Sequence, residues 1–136
     1  MSTSLPEIGK VVEYTRVFTA EEVRLFAQIS LDDNPIHLNE DYAANSIFQQ
    51  RVAHGMFTGS MFSRIFGSIY PGEGSIYLSQ DLRFMKPVFF DQPITARVEL
   101  TAYDEEKRIG TFATICANEE GKPVVKGEAR ILFPPL

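Results

Sequence analysis

Hydrophobic residues follow helical spacing through much of the first half of this chain and alternate with polar residues in the second half. A first strand is predicted over residues 11–18. Thr19 and Glu22 then have the spacing of a capping box, and apolar side chains follow at helical intervals, so a helix is predicted to begin there. Asn39 can cap a second, short helix over residues 41–43.

Residues 55–70 form the most apolar helical segment of the chain. Arg64 is its only charged residue, and small residues fill the gaps between large apolar ones. The large apolar residues are Met56, Phe57, Met61, Phe62, Ile65, Phe66 and Ile69. A helix that is apolar on most of its surface is expected to be buried. We therefore predict a central helix here, ended by the Pro- and Gly-containing turn at residues 71–74.

Four long runs with strand-like alternation follow this helix. They cover residues 76–84, 94–100, 109–117 and 124–133. In the first run, Ile76, Leu78, Leu82 and Phe84 are the apolar positions that alternate with polar ones. The order of a strand, helices, one buried helix and four strands predicts an α+β fold. In this fold an antiparallel sheet wraps around the central helix.

Composition and charge narrow the class of protein. The chain has 136 residues, and residues 1–136 are predicted to form a single domain with a substantial core. The net charge is −5, with acidic and basic residues interspersed, so a nucleic-acid partner is not expected. No apolar run approaches a membrane span of about 18 residues, and residues 1–10 contain no apolar signal core. The lone Cys116 cannot form an internal disulfide, which suits the reducing cytoplasm.

Asp32 and His37 are the candidate catalytic residues, five positions apart across an Asn-Pro step. On a regular helix, five residues at about 100° each would point the two side chains in different directions. Pro35 excludes that helix and favours a tight turn, stiffened by side-chain bonds from Asp33 or Asn34. Such a turn can bring the carboxylate and the imidazole to one point, where they can exchange a proton with water. The same residues also occur in ordinary turns with a surface histidine, so spacing alone leaves both interpretations open.

The same segment is a poor metal site. Asp32 and Asn34 match the first ligands of a calcium loop, but residues 35–37 break the pattern where a ligand and a glycine are required. Two histidines and one thiol are also a thin ligand set for zinc. We therefore predict no metal and no cofactor.

Several blocks of sequence resemble the MaoC-like, or type 2, enoyl-CoA hydratases. The residues that fit the turn signature of this family are Phe26, Ser30, Asp32, Asn34, Pro35, Ile36, His37 and Asn39. Residues 52–56 (Val-Ala-His-Gly-Met) and residues 71–80 match two further blocks. Leu31 departs from the signature, which usually has glycine or a short polar residue there. The resemblance extends from Glu7 to Phe133 and is strongest to short, single-domain (R)-specific enoyl-CoA hydratases and related thioester dehydratases.

The resemblance implies a hotdog fold with an overhanging segment that carries the active-site turn. It also implies reversible syn addition of water to a trans-2-enoyl thioester, giving the (R)-3-hydroxyacyl thioester. Asp32 and His37 would hold one water between them. In hydration we assign Asp32 as the base and His37 as the group that delivers a proton to the α-carbon. Asn34 would keep the turn in shape.

Two residues of the central helix are further candidates. The resemblance implies that the N–H of Gly55, at the positive end of the helix, binds the thioester oxygen as it becomes enolate-like. The alternative is a plain glycine at a helix start. Ser63 matches a family position near the substrate, and its alternative is a hydroxyl bonded back to its own helix. His54, next to Gly55, is interpreted as structural.

Phe66 is a candidate for the acyl pocket. It lies three residues after Ser63, so the two share one side of the helix. A phenyl ring there would close the far end of an acyl tunnel and favour short enoyl chains. Packing of Phe66 in the core between helix and sheet is the alternative.

The resemblance leaves several alternatives to be tested. A hotdog thioesterase or a carrier-protein dehydratase of fatty-acid synthesis would place a carboxylate on the central helix, but residues 55–70 contain none. A non-catalytic acyl-thioester-binding protein would not need Asp32 and His37 together. The carrier, coenzyme A or acyl carrier protein, stays open, as does the pathway, with fatty-acid metabolism and polyhydroxyalkanoate supply as candidates. Unpaired sheet edges and the resemblance together predict a homodimer.

Overall fold

The structure is a computed structural model that describes residues 5–135. Residues 1–4, which belong to the segment predicted to lack a signal core, lie outside the described residues, as does Leu136. The strands are β1 (Val11–Arg16), β2 (Ile76–Gln80), β3 (Arg83–Phe84), β4 (Ile94–Asp104), β5 (Ile109–Ala117) and β6 (Pro123–Leu132). The helices are α1 (Ala20–Ser30), α2 (Pro35–Leu38), α3 (Glu40–Ala44) and α4 (Gly55–Arg64), and α4 continues as a π-helical turn (Ile65–Ile69). Within residues 5–135, no helix has the length and apolar character needed to cross a bilayer.

One antiparallel sheet contains all six strands. Its order is β1-β4-β5-β6-β2, and β3 also pairs with β6. Along β4 the side chains of Ile94, Ala96, Val98 and Leu100 are buried in alternation, as the pattern predicted. They form the core together with the inner side of α4 and the π-helical turn, from Met61 to Phe66. The predicted α+β arrangement, a sheet around a central helix, is confirmed.

Burial of the central helix is more one-sided than predicted. Met61, Phe62, Ile65 and Phe66 are buried against the sheet, whereas Met56 is exposed. The reason is geometric: the sheet of one chain covers only one side of the helix. The other side carries mostly small and polar residues.

The first predicted strand after the helix is divided into β2 and β3. The backbone of Asp81 crosses β6 between them, where its N–H donates to the carbonyl of Glu128 at 3.0 Å. A Cβ on Gly127 would lie 1.9 Å from the Asp81 carbonyl oxygen, so this crossing requires glycine.

The apolar side chains of β2 and β3 were predicted to face the core, and this is wrong for most of them. Ile76, Leu78 and Phe84 are 54%, 47% and 54% exposed. Two causes act together. The register with β6 shifts between Tyr77 and Ser79, which changes the phase of the alternation, and β2 is an edge strand with a partner on one side only.

The overhanging segment consists of α1, α2 and α3. The predicted capping box at the start of α1 is confirmed: the N–H of Glu22 donates to the Thr19 hydroxyl at 3.1 Å, and the Thr19 N–H donates to the Glu22 carboxylate at 3.1 Å. The Asn39 side chain caps α3 by accepting from the N–H of Tyr42 at 2.9 Å. The stacked rings of Phe26 in α1 and Phe57 in α4, with centroids 4.8 Å apart, join the overhang to the central helix.

Candidate active site

A chain of side-chain-to-backbone hydrogen bonds builds the turn that follows α1. Helix α1 ends at Leu31, whose φ of +66° is left-handed. The Asp32 carboxylate accepts from the N–H of Asn34 at 3.3 Å, and the Asn34 side chain accepts from the N–H of Ile36 at 3.1 Å. The predicted bond from Asn34 is therefore present, and Asp32 supplies the other. The turn is held by the residues that the signature contains.

Helix α2 begins at Pro35, directly after this turn, and is a single helical turn. Proline excludes a continuous helix from α1, as predicted, but it is well suited to the first position of a new helix, because its missing N–H has no partner there anyway. The short helix brings the His37 ring close to Asp32, so that a nitrogen of the ring and a carboxylate oxygen lie within 4.8 Å of each other.

One hydrogen bond holds the His37 ring and selects its tautomer. Its Nδ1 lies 2.7 Å from the carbonyl oxygen of Val52. A carbonyl oxygen only accepts, so Nδ1 carries the proton and the neutral ring has its lone pair on Nε2. Val52 is itself fixed by a β-bridge to Phe89 and by donation from its N–H to the Ile36 carbonyl at 3.3 Å.

The pKa of His37 lies below its usual value. Burial of the ring is the largest cause, and the nearby His54 also lowers the pKa, while the Val52 carbonyl and the Asp32 carboxylate oppose the shift. His37 is consequently neutral at pH 7, with Nε2 ready to accept a proton.

The structure brings Asp32, His37 and His54 together. Each offers one oxygen or nitrogen atom, and these atoms lie within 4.8 Å of one another. This spacing suits a shared water, and it is also short enough for a cation. One nitrogen of each imidazole is bonded to a backbone carbonyl, which fixes both rings. The absence of a metal and the proton-transfer role of the pair stay predictions.

His54 is almost fully buried beside Asp32 and His37. Its Nε2 lies 3.0 Å from the backbone carbonyl oxygen of Asp32, and its ring stacks on the ring of His37 with centroids 3.7 Å apart. The sequence identified His54 only as structural. Nothing in the local pattern links it to residues 17 and 22 positions away.

Gly55 is the first residue of α4, so its N–H is not used by the helix itself. It lies on the wall of the site, where the ring of Phe84 packs against its backbone: a Cβ on residue 55 would be 2.6 Å from Cδ1 of Phe84. A larger residue at this position would displace the ring of Phe84. The oxyanion role of its N–H stays a prediction.

A cavity of about 460 Å³ opens onto Asp32, His37, His54 and Gly55. The rest of its lining is mainly apolar, with Lys86 as its only cation and Thr58 as a further polar residue. The Thr58 hydroxyl donates back to the His54 carbonyl at 3.3 Å. Neither Thr58 nor Phe84 was identified as a cavity residue from the sequence. Thr58 has the pattern of an ordinary core residue of α4, and Phe84 had been predicted to face the core.

Ser63 and Phe66 do not line this cavity. Ser63 is exposed and lies seven residues, close to two helical turns, beyond Met56, on the same outer side of the helix. Phe66 is buried in the core, with its ring 4.7 Å from that of Phe112 and 5.4 Å from that of Tyr77. This position favours the packing alternative for Phe66, and a contact of either residue with substrate stays a prediction.

Comparisons with known proteins identify the family of this chain. Residues 4–120 match the family model described as MaoC like domain. An (R)-specific enoyl-CoA hydratase of Aeromonas caviae is 42% identical over 134 residues, 98% of this chain and 100% of that protein. A mitochondrial 3-hydroxyacyl-(acyl-carrier-protein) dehydratase of Arabidopsis thaliana is 37% identical over 99% of this chain and 82% of that protein.

A solved structure extends the likeness to the fold. An (R)-hydratase from A. caviae involved in PHA biosynthesis superposes with a TM-score of 0.93 at 42% identity, covering 95% of this chain and 98% of that one. The predicted hotdog fold is confirmed.

Proposed function

The chain belongs to the MaoC-like domain family, and from this premise we propose that it is an (R)-specific enoyl-CoA hydratase, a hydro-lyase that adds water reversibly to trans-2-enoyl-CoA. One observation carries the proposal. The Asp32 carboxylate and the Nε2 lone pair of His37 converge at the wall of an apolar cavity, which is the arrangement needed to hold and deprotonate one water beside an acyl chain.

The hydrogen-bond pattern sets the order of proton transfer. Asp32 and neutral His37 both accept from the bound water, so neither holds a spare proton before reaction. As the water oxygen bonds to the β-carbon, one water proton moves to the pair, and the pair returns a proton to the α-carbon. The product contains one added H₂O. His37 therefore delivers only a proton that it has first received, which refines the assignment made from the sequence.

We assign the stabilisation of the enolate-like thioester oxygen to Gly55. The N–H groups at the start of α4 are unused by the helix and lie at the positive end of its dipole. The ring of Phe84 packs against the backbone of Gly55. A preorganised donor is worth more in a site from which bound substrate has excluded water than in water itself.

The alternative function is dehydration of a 3-hydroxyacyl group on acyl carrier protein. The Arabidopsis relative is named for that reaction, and Asp32 and His37 would serve it equally. This alternative therefore does not use the helix carboxylate that the sequence argument had required of a carrier-protein dehydratase. The single cation at the cavity, Lys86, suits a phosphate of either carrier. A thioesterase, which would require a carboxylate on α4, and a purely thioester-binding protein, which would not require the paired acceptors, have no observation in their favour.

We also propose a homodimer formed through β2. This edge strand exposes Ile76, Tyr77 and Leu78 in succession, and an exposed apolar edge is normally paired or covered. We also propose a cytoplasmic location, because the single Cys116 has no second cysteine in this chain for a disulfide. We further propose that the protein supplies (R)-3-hydroxyacyl-CoA for PHA synthesis, because the similar (R)-hydratase from A. caviae is involved in PHA biosynthesis.

Hydration of crotonyl-CoA followed by chiral analysis of the product tests the function directly. The expected product is (R)-3-hydroxybutyryl-CoA. Asp32→Asn and His37→Gln should each lower kcat by at least about 10³-fold, because each removes a proton-transfer partner. Asp33→Asn is the matched control, an exposed neighbouring carboxylate outside the cavity, and it should retain activity. An (S) product, or more than about a tenth of the activity in either catalytic variant, would contradict the proposal.

A further inference from the structure

His54 contacts both members of the catalytic pair. Its Nε2–H donates to the backbone carbonyl of Asp32 at 3.0 Å, and its ring stacks on that of His37 at 3.7 Å and 24°. On its other side it contacts the ring of Phe26, with centroids 4.8 Å apart. His54 is 2% exposed, so these contacts are made away from bulk water.

We propose that His54 is the positioning residue of this active site: its N–H holds the backbone of Asp32, and its ring holds the imidazole of His37. The two acceptors of the catalytic water would then be set at a fixed separation by one side chain. This inference deepens the hydratase function proposed above, and its catalytic meaning rests on that function. The contacts of His54 are observed whether or not the protein is a hydratase.

The choice of residue type supports this role over simple packing. His54 Nδ1 is buried and has no hydrogen-bond partner within the part of the chain that the structure describes, and an unpartnered buried polar atom is unfavourable. A phenyl ring would stack on His37 without that cost, but it could not donate to Asp32. An amide side chain could donate to Asp32, but it offers no aromatic ring. Only an imidazole or an indole combines a flat ring with an N–H, and an indole is much larger.

His54 also links the pair to the helix end. It occupies the N-cap position of α4, and its carbonyl accepts from the N–H of Thr58 at 3.1 Å. The next residue is Gly55, whose N–H we assign to the thioester oxygen. A rotation of His54 would therefore move the water acceptors relative to the oxyanion donor. Misplacement by about 1 Å can cost roughly 10²-fold in rate.

The tautomers of the two histidines provide a test in the unaltered protein. The chain contains only two histidines, so ¹⁵N-histidine labelling gives two imidazole spin systems. The expected pattern is opposite tautomers, with His54 protonated on Nε2 and His37 on Nδ1. A His54 ring protonated on Nδ1 and bare on Nε2 at neutral pH would overturn the proposal, because it could not donate to Asp32.

Two variants separate the two contacts. His54→Gln retains an N–H near the position of Nε2 but removes the ring, and His54→Phe retains the ring but removes the donor. Each should lower kcat by about 10²-fold while changing the KM for crotonyl-CoA little, since His54 acts on the water site more than on the carrier. Phe133→Leu, which loosens aromatic packing in the core outside the cavity, is the matched control and should keep kcat within a few-fold.

The outcomes distinguish this inference from the proposed function. If the wild-type protein lacks hydratase activity but has the opposite tautomers, the function fails and the structural contacts stand. If the wild type is active and both His54 variants keep its kcat, the positioning role is overturned. Circular dichroism and a denaturation midpoint identify a variant that fails to fold, and the tautomer measurement then decides the question alone.

Discussion

At the residue scale, Leu31 has a left-handed backbone conformation that leucine rarely adopts. It ends α1 at φ +66° and its side chain is 83% exposed. A left-handed conformation costs an L-residue roughly 1–2 kcal/mol, and helices commonly end with glycine in this state. The departure from the family signature therefore has a structural meaning, because glycine would suit this position.

Replacement of Leu31 by glycine is expected to stabilise the protein. Relief of the left-handed strain is worth up to about 1–2 kcal/mol, and the greater freedom of glycine in the unfolded chain offsets about 0.4–1 kcal/mol of it. Chemical denaturation should show a higher midpoint for Leu31→Gly, with kcat for crotonyl-CoA retained. Leu31→Ala is the control, since it removes the side chain but keeps the strain. An equal midpoint for the glycine and alanine variants would contradict this explanation.

The pH dependence of activity is expected to report the neutral state of His37. Because burial lowers its pKa from 6.5, the ring stays an acceptor at neutral pH and becomes protonated only in more acidic solution. The kcat/KM for crotonyl-CoA should therefore be constant around pH 7 and fall on the acid side, with an inflection below pH 6.5. If His37 instead entered the reaction already protonated, activity would fall as the pH rises through that pKa.

At the element scale, the N-terminal end of α4 and the rest of this helix have different tasks. The later residues, including Phe62 of α4 and Phe66 of the π-helical turn that continues it, close the core against the sheet. The N-terminal end contributes Gly55, Met56 and Thr58 to the cavity. Residues at the cavity and residues of the core therefore follow one another along one helix, and the identity of a residue alone does not tell which task it has.

Truncation of Phe66 tests this division. Phe66→Ala should lower the free energy of unfolding by about 3–5 kcal/mol, as for a buried aromatic ring. It should leave the ratio of kcat/KM for octenoyl-CoA to that for crotonyl-CoA unchanged. Phe84→Ala is the contrasting variant: Phe84 is half-exposed and lines the cavity, so its loss should alter the ratio at a small cost in stability. A rise in the octenoyl ratio for Phe66→Ala would restore its predicted role as an acyl gate.

At the scale of the whole molecule, the two edges of the sheet differ. Strand β1 mixes apolar residues with Glu13 and Arg16, which discourages pairing of edges. Strand β2 exposes three apolar residues in succession. A single chain thus leaves one edge protected and the other unprotected.

A homodimer that uses β2 should be sensitive to charge on that strand. The wild-type protein is expected to have the mass of a dimer at micromolar concentration in sedimentation analysis. Leu78→Lys should shift it towards monomer, because a charge would be buried in the apolar contact. Val11→Lys, on the opposite edge strand, is the control and should remain dimeric. A monomeric wild type would disprove the dimer.

Local contacts account for what the sequence determined by itself. The capping box at Thr19, the Asn39 cap and the turn at Asp32 join residues two or three positions apart, and helix or strand periodicity joins near neighbours, so their spacing was sufficient to predict them. The resemblance then supplied the hotdog fold and the pairing of Asp32 with His37.

The tertiary structure decided the contacts between distant parts of the chain. Val52 selects the His37 tautomer from 15 residues away, and the Asp32 carbonyl meets His54 across 22 residues. Phe84 packs on Gly55, and the register shift at Leu78 exposes a strand that alternation had predicted to be half buried. Periodicity describes which face of an element is apolar. It carries no information on which distant group lies opposite that face, because this depends on how the sheet curves and how the elements pack around the helix.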